Sequence, residues 1–69
     1  MVGDIRERLK ANELSQNWLI RRLALSGIGT DKTELSAVLS GKRSGDKANA
    51  IRERSNEIID EYERLFASN

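Results

Sequence analysis

The chain has 69 residues, of which 33% are charged, a net charge of +1, and no Cys, His or Pro. The lack of Cys and His excludes disulfides, zinc sites built on thiolate or imidazole, and acid–base catalysis by histidine. We therefore expect neither an enzyme nor a metal or other cofactor. A chain of this size buries only ~60% of its extended surface on folding, so residues 1–69 form one domain with a modest core.

Nothing in the sequence predicts contact with a membrane. The N-terminal stretch MVGDIRERLK has no apolar core of the kind found in signal peptides. No apolar run approaches the ~20 residues that a helix needs to cross a bilayer. We therefore expect a cytoplasmic protein, and the charged, proline-free composition is typical of compact helical domains.

The small net charge hides an asymmetry along the chain. Residues 1–52 carry ten Lys or Arg against six Asp or Glu, whereas residues 53–69 carry two Arg against five acids. The first part therefore has a net charge of +4 and the second of −3. This distribution favours an N-terminal part that faces a polyanion and a C-terminal part that faces away from it.

Two short amphipathic helices are predicted first. The first helix begins at the candidate cap Asp4 and ends near Asn12, and the second follows the N-cap residue Ser15 and ends at residues 26–27, Ser-Gly. A turn with a second glycine comes next, and its Ile28 is expected to fill the core. The residues expected on the inner faces are Ile5 and Leu9 in the first helix and Leu19, Ile20 and Leu23 in the second.

Residues 30–43, TDKTELSAVLSGKR, predict a third helix with a start signal and a glycine stop. Asp31 is a favourable N-cap with capping-box spacing to Glu34, so the helix begins near Lys32, and Gly41 closes it. The inward stripe is Leu35, Val38 and Leu39, which leaves Lys32, Thr33, Ser36, Ala37 and Ser40 largely on the opposite face. Taken alone, the segment is equally consistent with a helix whose polar face recognises a partner and with an ordinary surface helix.

A polar loop around residues 44–45 leads into the last predicted helix, from about Lys47 to Phe66. Ser55 and Asn56 are weak helix formers in its middle, so two shorter helices are an alternative, but we prefer one long helix. Such a helix extends ~30 Å, more than the core of a domain this small needs. Its apolar end, formed by Tyr62, Leu65 and Phe66, needs something to cover it.

One pattern of residues extends across these segments, within the stretch from Ile5 to Ile59: Leu14-Ser15-Gln16, Leu19 and Leu35-Ser36-x-Val38-x-x-Gly41-Lys42. In this pattern the chain resembles a helix-turn-helix domain of the phage repressor and Cro type, the Xre-like or lambda-repressor-like family. The run TDKTELSAVLSGKRSG is similar to small helix-turn-helix proteins of Gram-positive phages and integrated elements. The chain departs from the family in a longer turn, ALSGIGT, and in lacking the Pro that often follows the Gly and its basic neighbours.

The resemblance implies an all-α, compact four- to five-helix domain that binds double-stranded DNA and acts as a transcription regulator of repressor type. Residues 31–40 would be the recognition helix in the major groove, with Lys32, Thr33 and Ala37 at base-reading positions. Gln16 would approach a phosphate at the start of the second helix. The predicted DNA-binding residues are Gln16, Asn17, Lys32, Thr33, Ser36, Ala37, Ser40, Lys42, Arg43 and Lys47. Each could also be merely solvated.

Two apolar features suggest partners other than DNA. Proteins of this architecture commonly read paired half-sites as two-fold dimers, so we predict a homodimer interface at Tyr62, Leu65 and Phe66. Trp18 either marks an interface or packs over the first helix or the long turn. A competing function is a phage protein on the same scaffold that binds a host or phage protein. No small-molecule substrate is expected.

Overall fold

A computed structural model describes residues 5–67, which form four α-helices and one π-helical turn without any strand among them. The elements are α1 (Ile5–Ala11), α2 (Gln16–Leu25), α3 (Lys32–Leu39), α4 (Asp46–Tyr62) and the π turn (Glu63–Ala67). The predicted all-helical class is confirmed, and the helices pack as a compact globule. The candidate cap Asp4 lies outside the described residues.

The first three helices all end in the same hydrogen-bonded turn, closed by one residue in the left-handed region. That residue is Glu13 after α1, Gly27 after α2 and Gly41 after α3, with φ of 58°, 88° and 84°. The amide that follows it donates to a carbonyl five residues earlier: Leu14 to Leu9, Ile28 to Leu23, and Lys42 to Ala37. The predicted glycine stops after α2 and α3 are confirmed, since Gly27 and Gly41 supply the positive φ that such a turn needs. Glu13 adopts the same conformation after α1.

All four α-helices contribute to a core of ten buried apolar side chains. Leu14, Trp18, Ile20, Ile28 and Leu39 are partly buried and pack against it. Ile28 thus fills the place predicted from the turn, whereas Ile20 and Leu39, predicted on inner stripes, lie at the edge of the core. The apolar side chains with 0% exposure are Leu19, Leu23, Leu35, Ile51 and Ile59.

A polar network joins α1 to the end of α4. The Arg8 guanidinium donates to Asn56 Oδ1 at 3.0 Å, Asp60 Oδ1 at 2.6 Å and Glu63 Oε1 at 2.9 Å. The Asn12 amide donates to the other Glu63 oxygen at 2.9 Å. Hydrogen bonds from Asn12 and Arg8 lower the pKa of Glu63. The short α1 is therefore attached to the end of α4 by ion pairs and hydrogen bonds, in addition to the burial of Ile5 and Leu9 in the core.

The prediction of one long C-terminal helix is confirmed through Ser55 and Asn56, because α4 runs without a break from Asp46 to Tyr62. Its predicted end at Phe66 is wrong in one respect. The α-helical pattern stops at Tyr62, and a π turn starts at Glu63, the residue that Arg8 and Asn12 hold. A π turn has more residues per turn than an α-helix, so it changes the direction in which the last apolar side chains point.

Ser55 is the one polar residue among the fully buried side chains of the described chain. It has 0% exposure, and its hydroxyl has no hydrogen-bond partner. A buried hydroxyl without a partner costs the free energy of its lost hydration, on the order of 1–3 kcal/mol.

Substitution Ser55→Ala is expected to raise the free energy of unfolding by about 1 kcal/mol, because it removes the unpaired hydroxyl and leaves little empty volume. Urea or thermal unfolding followed by circular dichroism measures the change. Ser44→Ala, at an exposed loop position, is the matched control and should change stability little. A less stable Ser55→Ala protein would contradict this interpretation of the buried hydroxyl.

Candidate nucleic-acid interface

The connection between α2 and α3 sets the orientation of the third helix. Residues 26–31 lie between the two helices, and they include the left-handed Gly27 and the partly buried Ile28. Because Ile28 packs against the core, the connection is anchored in its middle. The long turn predicted from ALSGIGT is therefore a fixed corner that places the start of α3.

The N-terminus of α3 is capped by Asp31. Its backbone is extended, with φ −116°, and its Oδ1 accepts a hydrogen bond from the Glu34 amide at 2.7 Å. The predicted cap is confirmed, and the carboxylate is used at the helix end. The Glu34 side chain takes a different role from the one expected in a capping box, since it accepts from Thr30 Oγ1 at 2.7 Å.

The exposed face of α3 and the residue after its closing glycine form one shallow concave surface, with a volume of about 580 Å³. We call it the α3 surface. It brings together six of the ten predicted DNA-binding residues and adds one from α1. Its lining residues are Arg6, Lys32, Thr33, Ser36, Ala37, Ser40 and Lys42.

Arg6 belongs to this surface although the sequence did not single it out. It lies on α1 next to the buried Ile5, and its side chain is exposed. The spacing of Ile5 and Leu9 places Arg6 off the inner face but does not say which neighbouring helix lies beside it. That neighbour is set by tertiary packing, so the sequence carries no local signal for the contribution of Arg6 to this surface.

Two of the predicted DNA-binding residues are hydrogen-bonded to each other. The Ser36 hydroxyl donates to Gln16 Oε1 at 3.0 Å, and both side chains are half-buried. This hydrogen bond joins the first residue of α2 to the middle of α3, so the start of α2 lies beside the α3 surface. Asn17, the next residue of α2, is exposed but is not among the residues that line that surface.

The α3 surface offers donors and small apolar groups. The ammonium groups of Lys32 and Lys42 form no ion pair with any residue from 5 to 67, so their charges are uncompensated by direct contacts there. Thr33 offers a hydroxyl and a methyl group, and Ala37 a methyl group alone. The Ser40 hydroxyl donates to the Ala37 carbonyl at 3.2 Å, which uses its proton within the helix end.

The cations predicted to clamp phosphates after α3 separate into two groups. Lys42 lines the α3 surface, whereas Arg43 and Lys47 contact Glu34. Lys47 Nζ lies 3.1 Å from Glu34 Oε1, and Arg43 Nη1 lies 3.9 Å from Glu34 Oε2. Hydrogen bonds from Thr30 and Lys47, with the charges of Lys47 and Arg43, lower the pKa of Glu34. The sequence did not predict this internal pairing.

Arg52 closes the loop that follows α3. Its guanidinium donates to the carbonyl oxygens of Arg43 at 2.9 Å and Val38 at 3.3 Å, and to Asn49 Oδ1 at 3.1 Å. Helix C-termini leave carbonyl groups without intrahelical partners, and an arginine satisfies them well. Arg52 therefore fixes the backbone that carries Lys42 and Arg43. From the sequence, Arg52 was counted only as one of the positive charges of residues 1–52.

A second surface lies between α2 and α4. It is a groove of about 210 Å³, which we call the α2–α4 groove, and Leu25, Leu65 and Phe66 line it. These are the large apolar side chains with the highest exposure in the described chain, at 81%, 74% and 64%. The remaining lining residues are Trp18, Arg22, Ser26, Arg54, Ile58, Glu61 and Tyr62.

Trp18 packs within the molecule against the end of α4. Its ring meets Tyr62 edge-on, with centroids 5.6 Å apart and planes at 78°, and Arg22 lies 5.4 Å from its centroid. Tyr62 in turn contacts Phe66, with ring centroids 5.0 Å apart. Trp18 was predicted either to mark an interface or to pack over the first helix or the long turn. Its ring contacts are with Tyr62 and Arg22. Of the three residues predicted for a dimer interface, Tyr62 is half-buried by these contacts and Leu65 and Phe66 remain exposed.

Two other kinds of feature were sought in the described residues: metal sites and membrane-spanning helices. Residues 5–67 contain no group of three or more carboxylates placed to hold a metal ion. In the same part of the chain, none of the helices has the length and apolarity that crossing a membrane demands. Comparison of the chain with protein-family models, characterised proteins and solved structures gives no significant match.

Proposed function

We propose that this protein is a transcription regulator, of repressor type, that binds specific double-stranded DNA sequences for a phage or mobile element in the cytoplasm. The observation that carries the proposal is the α3 surface, which Lys32, Lys42 and Arg6 line together with small polar and apolar side chains. The helix-turn-helix arrangement inferred from the sequence is part of the proposal. Its support is the hydrogen bond from Ser36 on α3 to Gln16 at the start of α2.

The dimensions and chemistry of α3 suit the major groove. An α-helix with its side chains is ~10–12 Å across. The major groove of B-DNA is ~12 Å wide and admits an α-helix. In this arrangement Lys32 donates to guanine acceptors, Thr33 offers its hydroxyl and methyl to base edges, and Ala37 touches a thymine methyl.

The ends of α3 supply the charge that holds the helix in the groove. Lys32 is its first residue, and Lys42 follows the left-handed Gly41 at its other end. The backbone amide of Lys42 is held by the Ala37 carbonyl at 2.9 Å, so the chain that carries this cation is ordered. Phosphate contacts fix the position of a protein on the duplex, whereas base contacts select the sequence.

Lys42→Gln is expected to weaken binding to all duplex sequences alike and to make the slope of log K against log salt shallower by about 0.9, the value for one lost phosphate contact. A salt titration with random and selected duplexes measures both quantities. Lys10→Gln changes the same charge at an exposed position of α1 that is not among the residues lining the α3 surface. Equal effects of the two variants would contradict the assignment of Lys42.

Lys32→Ala and Thr33→Val are expected to change which sequence is preferred, because each removes a base contact worth ~1–3 kcal/mol. Selection from random duplexes, followed by affinity measurements on the selected and original sequences, tests this. An unchanged preference for both variants would show that α3 is not the reading helix. Thr33→Ser keeps the hydroxyl and separates its contribution from that of the methyl group.

We further propose that DNA is bound by a homodimer whose interface includes Leu65 and Phe66, with Tyr62 behind them. Two large side chains exposed at 74% and 64% next to an apolar groove support this interface. A two-fold pair would place its two α3 helices on half-sites ~34 Å apart.

Leu65→Asp is expected to shift the protein to a monomer. In a two-fold interface each protomer contributes the introduced carboxylate, and the two like charges repel each other. Sedimentation equilibrium with and without DNA measures the mass. Ala50→Asp, at an exposed position of α4, is the matched control and should leave the mass unchanged. A wild-type protein that stays monomeric at high concentration, with and without DNA, would contradict the dimer.

A second candidate function is a protein-binding module on the same scaffold. The observation that favours it is the α2–α4 groove, which gathers Leu25, Leu65 and Phe66 on one side of the molecule. Contiguous exposed apolar surface marks interaction sites in small soluble proteins. The salt titration with random duplex separates the two functions, because a protein-binding module has no salt-dependent affinity for DNA.

A further inference from the structure

Glu34 lies on α3 beside the cations of the following loop and of α4. Its Oε1 accepts from Thr30 Oγ1 at 2.7 Å and lies 3.1 Å from Lys47 Nζ, and its Oε2 lies 3.9 Å from Arg43 Nη1. Three segments therefore meet at one carboxylate: the turn before α3, the loop after it, and the first turn of α4.

The exposure of the three charged groups is unequal. The Glu34 side chain is only 20% exposed, whereas those of Lys47 and Arg43 are 57% and 62% exposed. The carboxylate is thus held against the fold while both cations remain accessible to a polyanion. Ion pairs this exposed contribute little free energy, so a row of phosphates competes well with Glu34 for the same cations.

The neighbouring acid does not share this role. The Asp31 carboxylate accepts the amide proton of Glu34 at the helix cap, and Asp31 has no ion pair with Arg43 or Lys47 in residues 5–67. On the α3 surface, Lys32 and Lys42 likewise have no carboxylate partner in the described chain. Among the predicted DNA-contacting cations, compensation by direct ion pairs is therefore confined to Arg43 and Lys47.

We infer that Glu34 is an internal competitor of DNA phosphate, which withholds the charge of Lys47 and, at longer range, of Arg43 from the backbone. The inference rests on the proposed function. Non-specific affinity for DNA comes almost entirely from cations that replace counterions on phosphates. A carboxylate that occupies two such cations lowers the affinity for every sequence, which leaves the contacts of the α3 surface to distinguish operator from random DNA.

The test compares the salt dependence of binding to a random-sequence duplex for the wild type and Glu34→Gln. Glutamine keeps an acceptor oxygen for Thr30 but removes the charge. The expected result is affinity higher by about fivefold near ~0.1 M salt and a slope steeper by about 0.9, the contribution of one released cation. Glu53→Gln makes the same charge change at an exposed position of α4 and should change affinity less than twofold.

A double-mutant cycle with Lys47→Gln identifies the cation. In the wild-type background Lys47→Gln should weaken binding less than twofold, because its charge is already compensated. In the Glu34→Gln background the same change should cancel most of the gain. A thermal melt of each variant establishes that it is folded, and the single Lys47→Gln result stands even if Glu34→Gln is unstable.

The outcomes distinguish failure of the inference about Glu34 from failure of the proposed function. If wild-type protein binds random duplex with the expected salt dependence but Glu34→Gln leaves affinity and slope unchanged, the inference about Glu34 is overturned and the proposed function stands. A loss on Lys47→Gln as large as that on Lys42→Gln also overturns it. If the wild-type protein shows no salt-dependent binding, the proposed function fails and the inference fails with it.

Discussion

The burial of Leu35 and Val38 is the constraint on which the rest of the structure depends. They have 0% and 1% exposure, and they attach α3 to a core shared by all four α-helices. Two buried positions three residues apart fix the rotation of a helix about its axis. They therefore determine that Lys32, Thr33 and Ala37 point away from the core. Truncating a buried Leu costs ~2–5 kcal/mol, a large part of the ~5–15 kcal/mol that stabilises a typical domain.

Features that depend on local sequence were predictable. The Asp31 cap, the Gly27 and Gly41 stops and the exposed face of α3 each follow from residues within one or two turns. The contribution of Arg6 and the pairing of Lys47 with Glu34 were not, because they join segments separated in sequence. Helical periodicity says which side of a helix is polar, but not which other helix that side meets.

The α3 surface and the α2–α4 groove differ in the chemistry of their lining residues. The α3 surface carries Lys32, Lys42 and Arg6 beside short side chains, whereas the α2–α4 groove carries Leu25, Leu65 and Phe66 at high exposure. Their lining residues do not overlap, so one surface can be occupied while the other is in use. This separation is compatible with the proposed regulator, which would hold DNA on one side and a second protein chain on the other.

The most direct test of the central claim is an NMR titration of amide chemical shifts with a short DNA duplex at low salt. If α3 enters the major groove, the largest changes will lie in residues 32–42 and at Arg6. Smaller changes in the α2–α4 groove are expected where the duplex promotes the proposed dimer. Changes confined to that groove, or no changes while the protein stays folded, would contradict the account.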